Sequence, residues 1–359
     1  MDKAFMKLTD EELKFLEHQI KIFDVQIGCP VQCITCGVCA PKYSGSMSWN
    51  DLTTISDSIV ETRIRRNINI LAESGPFAAF YSSEPLFYHS KDGDKEVSAY
   101  DVINKFSKDF ERRLVLTTSG WTPGNNYMQK AIEQLIADEN ETGKLVSFMY
   151  SLKTVSKNTI REYEKILKMY SGKDAHAKAL EEFINDSAYS RNLQENIKTL
   201  SVLKKDSLRI SLQYIDDEDM KDKTFSRRFG DYSELFSEKI VERLCNQSMS
   251  NLPIETAASI IGSRRKFEGL GKAKDIGIAA SEENNFVEKL GYQAKKYSMI
   301  ITGEGRLQVH YGEAGSYNSI VLSKEKFETL AEEGRRNGNK TAYNNYTIMA
   351  KLQGLNLLG

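Results

Sequence analysis

The chain has no apolar run long enough to cross a membrane, no surplus of either charge, and only one cysteine outside a single short stretch. The first absence excludes a helical span, which takes about 20 consecutive apolar residues. The 49 Lys and Arg nearly cancel the 50 Asp and Glu, so no net field draws the protein to nucleic acid or to an anionic membrane, and neither is an expected partner. Residues Met1 to Glu12 lack the apolar core of a signal peptide, and the expected location is the cytoplasm, where thiols stay reduced. Neither an internal repeat nor a low-complexity segment is visible.

Short apolar runs alternate with amphipathic segments. The runs are Ile22 to Ile27, Phe77 to Tyr81, Leu114 to Thr118, Leu145 to Leu152, Leu208 to Ile215 and Thr256 to Ile261; helical patterns lie at Asp51 to Ala72, Ala99 to Phe110, Tyr127 to Ala137 and Leu193 to Leu203. Strands separated by helices predict βαβ units and a parallel sheet. About six such strands suit an α/β fold built as a partial (β/α)6 TIM-like barrel, whose loops at the carboxyl ends of the strands build the active site. Thr9 to Leu16 reads as a capped helix that packs before the first strand. The charged stretch Ser156 to Leu203 exceeds one crossover helix and predicts a helical insertion or two helices. From Tyr297 to Tyr311 two β runs flank a glycine-containing turn, and a helical stretch follows from Lys324 to Arg336. The expected division is an N-terminal helix at 1–20, a core at 21–275 and a C-terminal α+β extension at 276–359.

Cys29, Cys33 and Cys36 stand at a C-x3-C-x2-C spacing directly after the first apolar run, with Cys39 three residues on. Three thiolates so close together can hold one face of an iron-sulfur cluster and leave one iron open. Other readings of the spacing are weaker. Structural zinc usually takes two separated ligand pairs, and no second Cys or Cys/His cluster follows. A bacterial ferredoxin run closes on Cys-Pro, which is absent here. Four cysteines within residues 29–39 of a 359-residue chain also make a poor framework for a small disulfide-stapled scaffold. The second informative stretch, Phe77 to Phe87, ends a strand in Ser82-Ser83 and then sets Glu84 beside Pro85, which fixes the turn.

In this order and spacing the cysteine loop and the Ser82-Ser83-Glu84-Pro85 turn resemble the radical S-adenosylmethionine (SAM) enzymes, over about residues 20 to 265. The resemblance implies one [4Fe-4S] cluster on Cys29, Cys33 and Cys36, with SAM bound through its amino and carboxylate groups at the open iron. It also implies that Ser82, Ser83, Glu84 and Pro85 hold the SAM amine, although two serines stand where the family has glycines. Ser119, in Leu116 to Gly120, and Ser151, in Phe148 to Leu152, fall at strand ends where the family contacts SAM. Arg191 falls where family members place an arginine facing the SAM carboxylate. The family's opening step passes one electron to SAM, releasing methionine and a 5'-deoxyadenosyl radical that takes a hydrogen atom from the substrate. An external low-potential donor such as flavodoxin or ferredoxin supplies that electron.

The tail hairpin is similar to the one that begins the extension of peptide-modifying family members. Where a cysteine would be expected, His310 and Tyr311 stand, so no auxiliary cluster is expected and the tail is read as a lid or a substrate-docking surface. The expected enzyme therefore acts on a peptide or amino-acid-containing substrate. A small-molecule or nucleotide substrate is the alternative, suggested by the basic run Gly262 to Lys274. A non-catalytic electron-transfer or regulatory protein, with Cys39 as fourth ligand, is a third reading. Cys245 is either a packed apolar residue of a helix or a hydrogen-atom donor to a substrate radical.

Overall fold

A computed structural model describes residues 4–34, 42–73, 77–80, 83–122, 124–154, 156–204, 207–266, 297–311 and 320–358. Local signals start the helices. Thr9 caps α1 (Asp10–Leu16) in a reciprocal box with Glu12, and buries Leu13 and Leu16 behind it. Ser48 caps α2 (Trp49–Arg66), which ends earlier than expected because Asn67 turns left-handed at φ 53°. The helices α3 (Ala99–Phe110) and α4 (Asn126–Thr142) follow, and the insertion resolves into three: α5 (Lys157–Leu167), α6 (Ala175–Asp186) and α7 (Ala188–Leu200).

The strands are β1 (Ile20–Phe23), β2 (Gln26–Ile27), β3 (Gly45–Ser46), β4 (Phe77–Ala78), β5 (His89–Asp92), β6 (Lys95–Ser98), β7 (Leu114–Thr118), β8 (Val146–Leu152), β9 (Leu208–Tyr214), β10 (Ile261–Lys266), β11 (Tyr297–Ile301), β12 (Leu307–Tyr311) and β13 (Ile320–Val321). Among the described residues, nine of them form one sheet in the order β10-β9-β8-β7-β4-β1-β11-β12-β13. From β1 to β10 neighbouring strands are parallel and follow chain order, each reached through a crossover that contains a helix. The protein is therefore a mixed α/β fold with a parallel sheet, and its hairpin continues that sheet, β11 pairing in parallel with β1. No described helix is long and apolar enough to cross a membrane.

The two faces of the sheet differ in chemistry. Phe148, Tyr150 and Leu152 lie buried on one face of β8, and Leu208, Ile210 and Leu212 continue that face on β9. It meets α7, where Asn196 reaches the Tyr150 hydroxyl (3.4 Å). The other face carries Ser147, Met149 and Ser151 beside Arg209, Ser211 and Gln213. At the opposite ends of these strands, fully buried Glu139 accepts the amides of Leu145 (2.9 Å) and Val146 (2.8 Å) and the Ser207 hydroxyl (2.7 Å), and pairs with Arg113. That network ties β7, β8 and β9 together, and the hydrogen bonds satisfy a carboxylate that would otherwise be buried without partners.

Two expectations need correction. The run Ile22 to Ile27 is not one strand: Asp24 still donates to Ile301 O (2.7 Å) and Val25 to Ala79 O (3.2 Å), but at Gln26 the chain leaves β11 and β4, and β2 pairs instead with β3. Thr256 to Ile261 is not the sixth strand either. Residues Ile254–Ile260 are helical, and the basic segment Ile261–Lys266 forms β10. At the edge of the described sheet β10 pairs with β9 alone, so it needs no apolar alternation, and Ala and Ile serve a helix as readily as a strand.

Candidate functional site

The pairing of β2 with β3 closes the base of a loop that carries the cysteines. Within it Cys29 bridges to Lys42, and Cys33 forms an antiparallel bridge with Ser156, the N-cap of α5 just beyond β8. The loop thus crosses the carboxyl end of the sheet. Gln32 takes a left-handed conformation (φ 50°), and its side-chain amide donates to Cys29 O (2.6 Å). In that shape the backbone N–H groups of Val31 and Gln32 lie close enough to the Cys29 sulfur to favour its charged form. Successive amides converging on one atom form a cradle for an anion. Burial pushes the Cys29 thiol up, and Glu84 and Cys33 nearby push it further, while the two amides oppose them. Cys33 is buried, and Cys36 and Cys39 lie outside the described residues. No three His, Cys, Asp or Glu side chains gather as a metal site among the described residues. Two soft sulfurs, one already provided with N–H donors, fit as two of the three ligands that an iron-sulfur cluster would take here.

Glu84 stands opposite, 3 % exposed, at the start of a short helical turn, Pro85–Phe87. Its Oε1 accepts the Thr118 hydroxyl (2.5 Å), and its Oε2 accepts both the backbone amide and the hydroxyl of Ser119 (2.8 Å each). Burial pushes its carboxyl up; those donors and the positive charge of Lys153 pull it back. The Thr118-Ser119-Gly120 turn is fixed in turn by Gly120, at φ 100°. A Cβ there would come within 2.5 Å of both Asn196 Nδ2 and the Tyr150 hydroxyl.

Several predicted residues converge here in different roles. Ser119 holds Glu84, and Pro85 is buried as the first residue of the turn. Ser83 bonds to Gln26, whereas Ser82 lies outside the described residues. Ser151 is buried at the end of β8 and accepts from Gln213 Nε2 (3.4 Å). Arg191 is exposed and its guanidinium donates to the Asp186 carbonyl, so the cation whose charge reaches Glu84 is Lys153. Sequence reasoning missed Lys153, Thr118, Gln26 and Gln32. Position at a strand's carboxyl end was a signal for Thr118 and Lys153; nothing local marked the two glutamines.

Cys245 packs 1 % exposed in the helix Glu238–Met249, and burial pushes its thiol up to about 12. The basic run expected to bind anions starts differently: Arg264 pairs with Glu242 (2.9 Å) in a cavity of about 810 Å³ that Asp216, Glu234 and Glu238 also line. Residues 267–274 of that run lie outside the described residues. Compared with known proteins, the chain matches no family model and no curated protein sequence.

Proposed function

We propose that this chain is a radical SAM enzyme acting on a peptide or amino-acid-containing substrate. The observation that carries the proposal is the meeting of the Cys29 and Cys33 loop with buried Glu84 across the carboxyl ends of parallel strands. In this reading the six strands β1, β4, β7, β8, β9 and β10 are the wall of a partial (β/α)6 TIM-like barrel. Cys29, Cys33 and Cys36 would hold a single [4Fe-4S] cluster. When bound there with SAM, that cluster supplies one-electron reductive cleavage of a SAM carbon–sulfur bond, and hence hydrogen-atom abstraction.

The chain's own residues orient and shield. A carboxylate accepts about four hydrogen bonds. Glu84 has three filled by Thr118 and Ser119, which leaves room for one from the SAM ammonium. Ser119 acts through Glu84, and Ser151 with Gln213 is the candidate contact for the ribose hydroxyls. Arg191, exposed on α7, has less claim to the SAM carboxylate than Lys153. Burial of Glu84 and Cys33 keeps water from the reacting centre. The peptide class rests on the tail hairpin, and a low-potential donor such as flavodoxin or ferredoxin supplies the electron.

Anaerobic reconstitution with iron and sulfide, then dithionite and SAM, tests this. The wild type should release 5'-deoxyadenosine, and Cys33→Ala should release none. A wild type that carries its iron but produces no 5'-deoxyadenosine would refute the proposal.

A further inference from the structure

The turn Thr302 to Arg306 joins β11 to β12 and presses against the strand that enters the cysteine loop. A Cβ at Gly303 would stand 2.6 Å from Gln26 O, 2.7 Å from Gln26 C and 2.9 Å from Ile27 Cγ1. No side chain fits at Gly303 unless Gln26 moves. The turn is itself held from behind. Leu357 donates to Gly305 O (2.8 Å), and a Cβ at Gly305 would meet Leu358 Cδ1 at 2.7 Å. Beside it Asp24 N–H bonds to Ile301 O (2.7 Å), so segment and hairpin are fastened edge to edge.

Gln26 faces the other way with its side chain. It is 2 % exposed; its Nε2 donates to Ser83 Oγ (2.6 Å) and Glu84 O (3.0 Å), and its Oε1 accepts the Tyr88 amide (3.2 Å). Its backbone pairs with Ser46 at the base of the cysteine loop. One residue therefore touches the hairpin turn, the loop base and both sides of the Glu84 turn. We infer that the C-terminal hairpin is a positioning element of the candidate site, acting through Gln26 to set the Glu84 turn against the cysteine loop. The tail's described part thus acts as a strut beside the site. The coupling is a matter of packing alone; its consequence for SAM rests on the function proposed above.

Two full-length variants test it: Gly303→Ala, which forces the turn off Gln26, and Gln26→Leu, which keeps the volume and removes the bonds. In the iron-free chain, hydrogen exchange over residues 83–88 should quicken roughly tenfold in both, the scale of losing one or two bonds to buried groups, while β7 and β8 keep their rates. In the reconstituted protein, KM for SAM should rise about tenfold with kcat for 5'-deoxyadenosine and iron content unchanged. Unchanged exchange over 83–88 in either variant overturns the inference, as does equal quickening across the whole sheet. Should the wild type fail to cleave SAM, the proposed function falls and the exchange measurement still decides the coupling.

Discussion

Gln32 shows how much one residue's backbone can decide. It occupies the left-handed region at φ 50°, its side chain clamps Cys29 O, and its backbone N–H, with that of Val31, favours charge on the Cys29 sulfur. A β-branched residue resists that conformation at a cost of about 1–3 kcal/mol, whereas glycine adopts it freely. On the function proposed, Gln32→Val should therefore lower iron retained per reconstituted chain, with roughly tenfold weaker retention against a chelator, and Gln32→Gly should stay close to wild type. Equal retention by the two variants would show that the cradle does not hold the site. The cysteines themselves were legible, because thiol spacing is a local property of the sequence. Gln32 was not, since a lone polar residue between cysteines gives no hint of positive φ.

At the level of elements, the helices were legible where caps and an apolar stripe agreed, as at Thr9 and at Ala99–Phe110. The strands were legible as apolar runs but not in their limits. The split between β1 and β2 comes where Gln26 and Ile27 leave β11 and β4 to pair with Ser46 and Gly45, which no local pattern reports. Strand β12 carries a further consequence. His310 there is 8 % exposed, beside Gln308 Oε1 (2.9 Å), and burial pushes its pKa from 6.5 down to about 4. Above pH 6.5 it is neutral in both folded and unfolded chains and contributes no pH dependence. As pH falls from 6.5 to 4 the unfolded chain takes up a proton that the folded chain refuses, so stability declines with falling pH across that window. The decline should reach about 3 kcal/mol, at about 1.4 kcal/mol per pH unit. Urea unfolding at pH 7 and at pH 4.5 should show the loss reduced in His310→Gln, and an identical pH dependence in the two proteins would rule it out.

For the whole molecule, the tail belongs to the sheet. Met299, Ile301, Leu307, Val309 and Phe327 are each fully buried, and β11 covers the edge of β1. Burial of each such side chain is worth about 1.5–3 kcal/mol, a total comparable with the stability of about 5–15 kcal/mol that holds a domain folded. A chain ending at residue 296 should accordingly fail to give soluble protein with a cooperative thermal transition; recovery of one would show that the core folds without the tail. Deleting the tail thus cannot separate positioning from folding, and a point change at Gly303 can. The amino-acid sequence by itself determined the thiol spacing, the Glu84–Pro85 turn and the alternation of strands and helices, because each depends on side-chain type over a few residues. Only the tertiary structure decided that Ile20 lies beside Met299, that Lys153 and Thr118 serve Glu84, and that Gln26 joins the hairpin to the cysteine loop. Parallel pairing brings together residues that chain distance keeps apart, and a site built across strand ends inherits its geometry from that pairing.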